Sequence, residues 1–275
     1  MSRTLRNLPH RALLSAWLGV VIVPYVWMLV TSLKDQRELY TFPVRYWPAH
    51  PTLAGFAQLF QSTPFPRYML NSLVVATGTC VIALTAATAA SYALSRLPMR
   101  GKRVLLFVFL ATQLFPAILL VIPLFVIMRS LHLLNTYGSL ILADAAFAVP
   151  FSTWLMTGFF NALPRELDEA AAIDGCGRLQ AIRYVLLPLV APGFAAAGTY
   201  IFLYSWNEFI YALTFTADTS ARTIPVGLQT FMGEFIIRWD LLMAGGVITA
   251  VPVIVLFMVV QRELIAGLTA GAVKG

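Results

Sequence analysis

The chain has 275 residues, 59% of them hydrophobic and 11% charged, with a mean hydropathy of +0.79. Soluble domains are roughly 45–50% apolar and about 25% charged, so a soluble globular fold is excluded. The net charge of +7 does not mark a nucleic-acid binder. Its basic residues sit in short stretches beside apolar runs, where such charge orients a protein in a bilayer.

Apolar runs at about 13–33, 72–95, 104–128, 138–161, 187–213 and 243–260 predict six membrane-spanning helices in one all-α domain covering 1–275. Each run approaches or exceeds the roughly 20 residues needed to cross ~30 Å of hydrocarbon. The first follows a basic start (Arg3, Arg6, Arg11) and contains Trp17, Pro24, Tyr25 and Trp27. It is longer than a signal-peptide core and lacks a small-x-small cleavage site, which predicts an uncleaved first helix. The loop at 34–71 carries Pro43, Pro48, Pro51, Pro64 and Pro66. Its weakly amphipathic piece Leu53–Phe60 is expected to lie on the membrane surface.

The second span holds Thr77-Gly78-Thr79 and Thr85 to Ser91, a series of small residues that lets helix backbones approach closely in lipid. Pro116, Pro123, Pro150 and Pro252 fall within spans, and each removes a backbone donor and can bend its helix. Asp144 and Glu208 also fall within spans. A charged Asp at a helix centre costs on the order of 2.5–3.5 kcal/mol on insertion scales, so such groups face a cavity or a partner. For Asp144 two readings stay open, lining a pathway or making a structural hydrogen bond. Gln113, Trp206, Asn207 and Glu208 are the other candidates for a translocation pathway. Cys80, inside a span, and Cys176, in a loop, are read as unpaired and inert, and no metal spacing occurs.

Lys and Arg set the orientation. With the N-terminus inside, twelve fall on the cytoplasmic side and seven outside, and the short stretch Arg96–Arg103 alone carries four. The positive-inside rule then places both termini in the cytoplasm. The same orientation makes the loop at 162–186 cytoplasmic and the loop at 214–242 external.

The most informative stretch is Leu163-Pro164-Arg165-Glu166-Leu167-Asp168-Glu169-Ala170-Ala171-Ala172-Ile173-Asp174-Gly175. Pro164 suits a first helical turn, and Glu166, Asp168 and Glu169 complement its positive end. Gly175 and Gly177 suit the stop. The spacing predicts a short helix at about 164–175, with Leu167, Ala170 and Ala171 on one face. Small alanines permit close approach to a partner's groove, and the acidic rim can pair with arginines there. A solvated loop with helical propensity is the bland alternative.

Glu169-Ala170-Ala171, Gly175 and then Val185-x-Leu187-Pro188 resemble the EAA signature of permease subunits of ABC importers, with Asp174-Gly175 fitting its usual extension. Cys176 departs from a common small alanine. Asn71-Ser72, Trp206-Asn207-Glu208-Phe209 and the tail Gly267-Leu268-Thr269-Ala270-Gly271-Ala272-Val273-Lys274-Gly275 resemble the MalG-like, carbohydrate-type branch. The resemblance implies a type I importer permease in a bacterial or archaeal cytoplasmic membrane. Its partners would be a sister permease, two ATPase subunits and an extracytoplasmic solute-binding protein that delivers a small-molecule solute. The segment at 164–175 would be the coupling helix, with Glu169, Ala170, Ala171, Asp174, Gly175 and Pro188 as its marked residues. Gly267, Leu268, Thr269, Gly271 and Lys274 would reach the ATPase dimer, and the loop at 214–242 would meet the binding protein.

The cargo implied is a sugar or sugar-like solute, with glycerol 3-phosphate or a polyol as the alternative. No Gly-x-x-x-x-Gly-Lys-Ser/Thr sequence occurs, so ATP and Mg are expected on partner subunits and this chain is expected to hold no cofactor and to be no enzyme. An ion-coupled secondary transporter is the remote rival, and no repeated halves support it. A membrane-embedded enzyme is a further rival, without a His/Asp/Glu or Ser/His constellation to carry it.

Overall fold

In a computed structural model the backbone is described for residues 8–233 and 235–272, and the side chains for 13–233 and 235–265. The helices are α1 (Leu8–Ser32), α2 (Ala54–Ser62), α3 (Phe65–Arg96), α4 (Lys102–Thr112), α5 (Val121–Ser130) and α6 (Tyr137–Ala162). They continue with α7 (Glu166–Ile173), α8 (Arg178–Leu189), α9 (Ala191–Trp206), α10 (Ile210–Phe215), α11 (Ile224–Gln229) and α12 (Trp239–Ala272). Among the described residues the only β pairing is an isolated bridge between Met232 and Ile237.

Four helices are long and apolar enough to cross a membrane: Leu13–Ser32, Phe65–Arg96, Tyr137–Ala162 and Trp239–Ile265. The third and fifth predicted spans are not straight rods. The expected helix at 104–128 is broken between α4 and α5 by 92°, and α8 meets α9 at 88°. If each bent pair is one span, the count is six. The first break has a local cause. Pro116 adopts an extended backbone, cannot donate a helical hydrogen bond, and is followed by a 3-10 turn at Ala117–Leu120. Pro123 bends nothing, because it lies in the first turn of α5. The fifth predicted span, 187–213, is likewise divided, with α9 ending at Trp206 and α10 beginning at Ile210.

The chain divides into two compact units, Met1–Pro66 with Gly227–Val251, and Arg67–Val226 with Pro252–Gly275. In the first unit α1 is exposed along most of its length, as suits a helix whose solvent is lipid. The helix expected on the membrane surface, α2, packs one side on its own chain. Leu59 is buried, and a Cβ at Gly55 would lie 3.4 Å from the Asp240 carbonyl oxygen. Arg238 pairs with Asp240 at 2.7 Å and donates to Gln58 at 2.8 Å, and the Tyr40 hydroxyl donates to the Ile237 carbonyl.

The second unit is built around α3, α6 and α9. The small residues of α3 perform the expected task, since Ala76, Thr79, Ala83, Ala87, Ser91 and Ser95 recur at three- and four-residue spacing and are all buried. A Cβ at Gly78 would lie 2.6 Å from Ile141 of α6. On α9 the contact is closer still, because a Cβ at Gly193 would sit 2.4 Å from the Phe159 ring. Gly193→Ala should therefore destabilise the helix pair by about 1–3 kcal/mol, read as a lower thermal unfolding midpoint in detergent. Gly158→Ala, with nothing within 4 Å of its added carbon, serves as the control.

Candidate coupling segment and pathway residues

One side chain ties the α6–α7 turn to the end of α3. Arg96, the last residue of α3, donates to the carbonyls of Leu163 at 3.2 Å and Pro164 at 3.4 Å. Its Nε lies 3.0 Å from Asp168 Oδ2, and the two side chains are 7% and 23% exposed. That last contact is an ion pair whose N–H is not aligned on the oxygen. Arg96 thus joins the end of α3, the exit of α6 and the first turn of α7.

The short helix occupies Glu166–Ile173, and Pro164 precedes it instead of forming its first turn. Its end is a Schellman motif. The Cys176 N–H donates to Ala171 at 2.9 Å and the Gly175 N–H to Ala172 at 3.1 Å. Gly175 has φ +78°, a conformation that costs a residue with a Cβ roughly 1–2 kcal/mol.

Ala171 differs from expectation. It is buried at 3% exposure, and Leu167 packs on a core of Ala87, Met156, Phe160, Leu186, Val190 and Ala197. Ala170 is not on this face. It is exposed with Glu166, Glu169 and Ile173. Leu167 and Ala171 stand four residues apart and anchor the helix inward, while Glu169 and Ala170 turn outward. Asp174 is the C-terminal flanking residue and is exposed.

Beyond Gly175, the Gly177 N–H donates to Gln180 Oε1 at 2.8 Å, which starts α8. Residues Ala181–Leu186 widen to a π-helical turn. Pro188 has no N–H to return to Tyr184, and a π turn is one way a helix absorbs such a gap. Leu179 and Tyr184 are exposed on this segment, and Leu186 is buried.

The pathway candidates resolve differently. Asp144 is 1% exposed, and its Oδ2 accepts the Ser205 hydroxyl at 2.5 Å, so it makes the structural hydrogen bond. Gln113 sits at the α4–α5 break, where Nε2 donates to the Phe147 carbonyl at 3.0 Å and Oε1 accepts the Tyr200 hydroxyl at 3.3 Å. Trp206 does not line an open path. It is 2% exposed, and its ring stacks on Phe202 at 5.4 Å. Asn207 is exposed and donates to the Leu203 carbonyl at 2.8 Å. Glu208 accepts the N–H groups of Tyr211 at 2.7 Å and Ala212 at 2.9 Å, capping α10. The Trp-Asn-Glu-Phe stretch therefore builds a helix break.

Asn71 and Ser72, noted in the sequence without a physical role, tie down the loop after α10. Asn71 is fully buried, donates to the carbonyls of Thr219 at 3.1 Å and Arg222 at 2.8 Å, and accepts the Tyr137 hydroxyl at 2.6 Å. Ser72 accepts the Ile224 N–H at 2.8 Å. On the same loop, hydrogen bonds from the Ser220 hydroxyl and N–H and from the Asn135 amide hold the Asp218 carboxyl below its ordinary range. Asn71 and Arg96 lie 25 positions apart on α3, or about 37 Å, more than a hydrocarbon core of ~30 Å.

Of the C-terminal tail, the backbone of α12 runs to Ala272, nothing beyond the backbone is described for Gly267, Leu268, Thr269 and Gly271, and Lys274 lies outside the described residues altogether.

Long apolar helices joined by a short wedged helix, with loops clamped at both ends of α3, define a membrane-embedded transport subunit. The chain belongs to the binding-protein-dependent transport system inner membrane component family, which it matches over residues 81–269. It is 39% identical over 254 residues to the sulfoquinovosyl glycerol transport system permease protein SmoH of Agrobacterium fabrum, covering 92% of this chain and 89% of that protein. It is 34% identical over 259 residues to the trehalose/maltose transport system permease protein MalG of Thermococcus litoralis, with 93% and 92% covered. Its fold matches a chain in the crystal structure of a bacterial ABC transporter involved in the import of the acidic polysaccharide alginate. The TM-score there is 0.81 at 22% identity, over 95% of this chain and 98% of that one.

Proposed function

We propose that this chain is the permease subunit of an importer for a sugar or sugar-like solute, delivered by an extracytoplasmic binding protein and driven by ATP hydrolysis on separate subunits. The observation that carries this reading is α7. Its acidic outer rim, Glu166 and Glu169, is exposed beside Ala170, while Leu167 and Ala171 fix it to the bundle core. Such a helix can receive a push from outside and pass it to α3, α6 and α8. The sugar class rests on the transport systems for which SmoH and MalG are named.

In this reading the α7 end of α3 is cytoplasmic and both termini are inside, as the Lys and Arg distribution requires. The partners are a sister permease and two ATPase subunits, which hold the ATP and Mg. The exposed apolar side chains of Phe235 and Ile236, beside the Met232–Ile237 bridge, are the surface assigned to the binding protein. Both oxygens of Glu208 are engaged by backbone N–H groups, and Asp144 is engaged by Ser205 through Oδ2.

The test is purification of the assembly from its native membrane, followed by uptake into proteoliposomes. Co-purification of one sister permease and two ATPases is expected, with uptake that needs ATP on the α7 side and binding protein on the other. Uptake that persists without ATP and collapses with an ion gradient would overturn the proposal.

A further inference from the structure

The second unit contains a series of aromatic rings where α6 packs on α9. Asp144, Phe147 and Phe151 stand at three- and four-residue spacing on α6, and Tyr200 and Tyr204 stand four residues apart on α9. The rings meet in sequence. Phe151 lies 4.5 Å from Tyr200, Tyr200 lies 6.2 Å from Tyr204, and Tyr204 stacks on Phe147 at 6.5 Å and 21°.

None of these four rings is fully buried. The bend between α4 and α5 leaves an apolar recess lined by Phe115, Leu124, Phe147 and Pro150, so the series opens at its Phe147 end. It is not purely apolar. The Tyr200 hydroxyl is held by Gln113, and beside Tyr204 the buried Asp144 keeps one carboxylate oxygen, Oδ1, without a hydrogen-bond partner among the described residues. Flat rings interleaved with tyrosine hydroxyls match a carbohydrate, whose ring faces present C–H groups and whose rim presents hydroxyl donors.

We propose that Phe151, Tyr200, Tyr204 and Phe147 form a stacking strip on which this chain itself carries the solute, supplementing whatever the sister permease contributes. The proposal rests on the carbohydrate reading above. Several ring faces of similar strength suit a path better than a single tight site, because each holds a sugar weakly enough to release it to the next.

The experiment uses the whole assembly in proteoliposomes with radiolabelled sulfoquinovosyl glycerol, trehalose and diacetylchitobiose as probes, the last being the cargo named for DasC of Streptomyces coelicolor, 34% identical. For the probe taken up by the wild type, Tyr204→Leu and Phe151→Leu should each lower uptake about five- to tenfold. ATP hydrolysis stimulated by the loaded binding protein should stay within about twofold. Tyr204→Phe and Phe151→Tyr, which keep a ring, should retain most of the uptake. Uptake unchanged in the leucine variants overturns the strip alone, as does an equal fall in uptake and stimulated hydrolysis in leucine and ring-preserving variants alike. Uptake of none of the probes by the wild type removes the carbohydrate reading first and the strip with it.

Discussion

Replacing Arg96 with alanine should lower ATP-driven uptake at least about tenfold and weaken the fold by about 2–3 kcal/mol. Arg96 is nearly buried; it holds two carbonyls at the α6 exit and pairs with the Asp168 carboxylate on α7, which the Tyr92 hydroxyl also contacts. Its removal leaves the two carbonyls without their side-chain donor and Asp168 without its ion-pair partner. The energy lost is only part of the effect. α7 would keep its Leu167 and Ala171 anchors but lose its tie to α3, so hydrolysis on the ATPase subunits would proceed with less movement of the spans. The diagnostic readout is the ratio of solute moved to ATP consumed, which a merely weakened fold would leave unchanged. Arg96→Lys should recover part of the stability and little of the coupling, because an ammonium cannot reproduce the guanidinium's fork. Wild-type stoichiometry in Arg96→Ala would refute the role.

Glu169→Lys should abolish uptake while leaving thermal stability within about 0.5 kcal/mol, the usual range for an exposed substitution. The side chain is exposed and makes no ion pair among the described residues, so the isolated chain has little to lose. The proposed ATPase surface has much to lose, since a cation would face the arginines expected to receive Glu169, and like charges across an interface cost several kcal/mol. Co-purification measures the loss of the ATPase subunits, and Glu169→Gln should be intermediate. Full assembly and full uptake in Glu169→Lys would remove this contact from the mechanism.

The parts of this protein that are legible in the sequence are those whose cause is local. Four spans follow from unbroken apolar length, and α7 follows from an acidic first turn closed by Gly175. The break at Gln113–Pro116 is not legible. Apolar residues continue through it, and a proline in a span permits a mild bend as readily as a right angle. The small residues of α3 announce close packing without saying that Gly78 meets Ile141 or that Gly193 on α9 meets Phe159.

Long-range pairings are hidden for the same reason. Arg96 is 72 positions from Asp168 and reads in sequence as one more positive charge beside a span. Trp206, Asn207 and Glu208 look like pathway residues because polar groups in spans usually serve transport. Here Asn207 and Glu208 also terminate and restart a helix. The ring series is invisible for a different reason, because Phe and Tyr at helical spacing are equally at home against lipid.

The right angle between α8 and α9 makes the pair a crank. α8 is joined to α7 through a single glycine-rich turn, and its far end is the root of α9. A sideways shove of an ångström or two at the root of α9 becomes a rotation of a rod of 16 residues, about 24 Å long. A swing of about 10° would carry the other end of that rod by roughly 4 Å, comparable with the width of a sugar ring's edge. In the proposed function, a modest stroke at one membrane face would thereby be geared into a larger movement at the other, with no helix needing to slide along its axis.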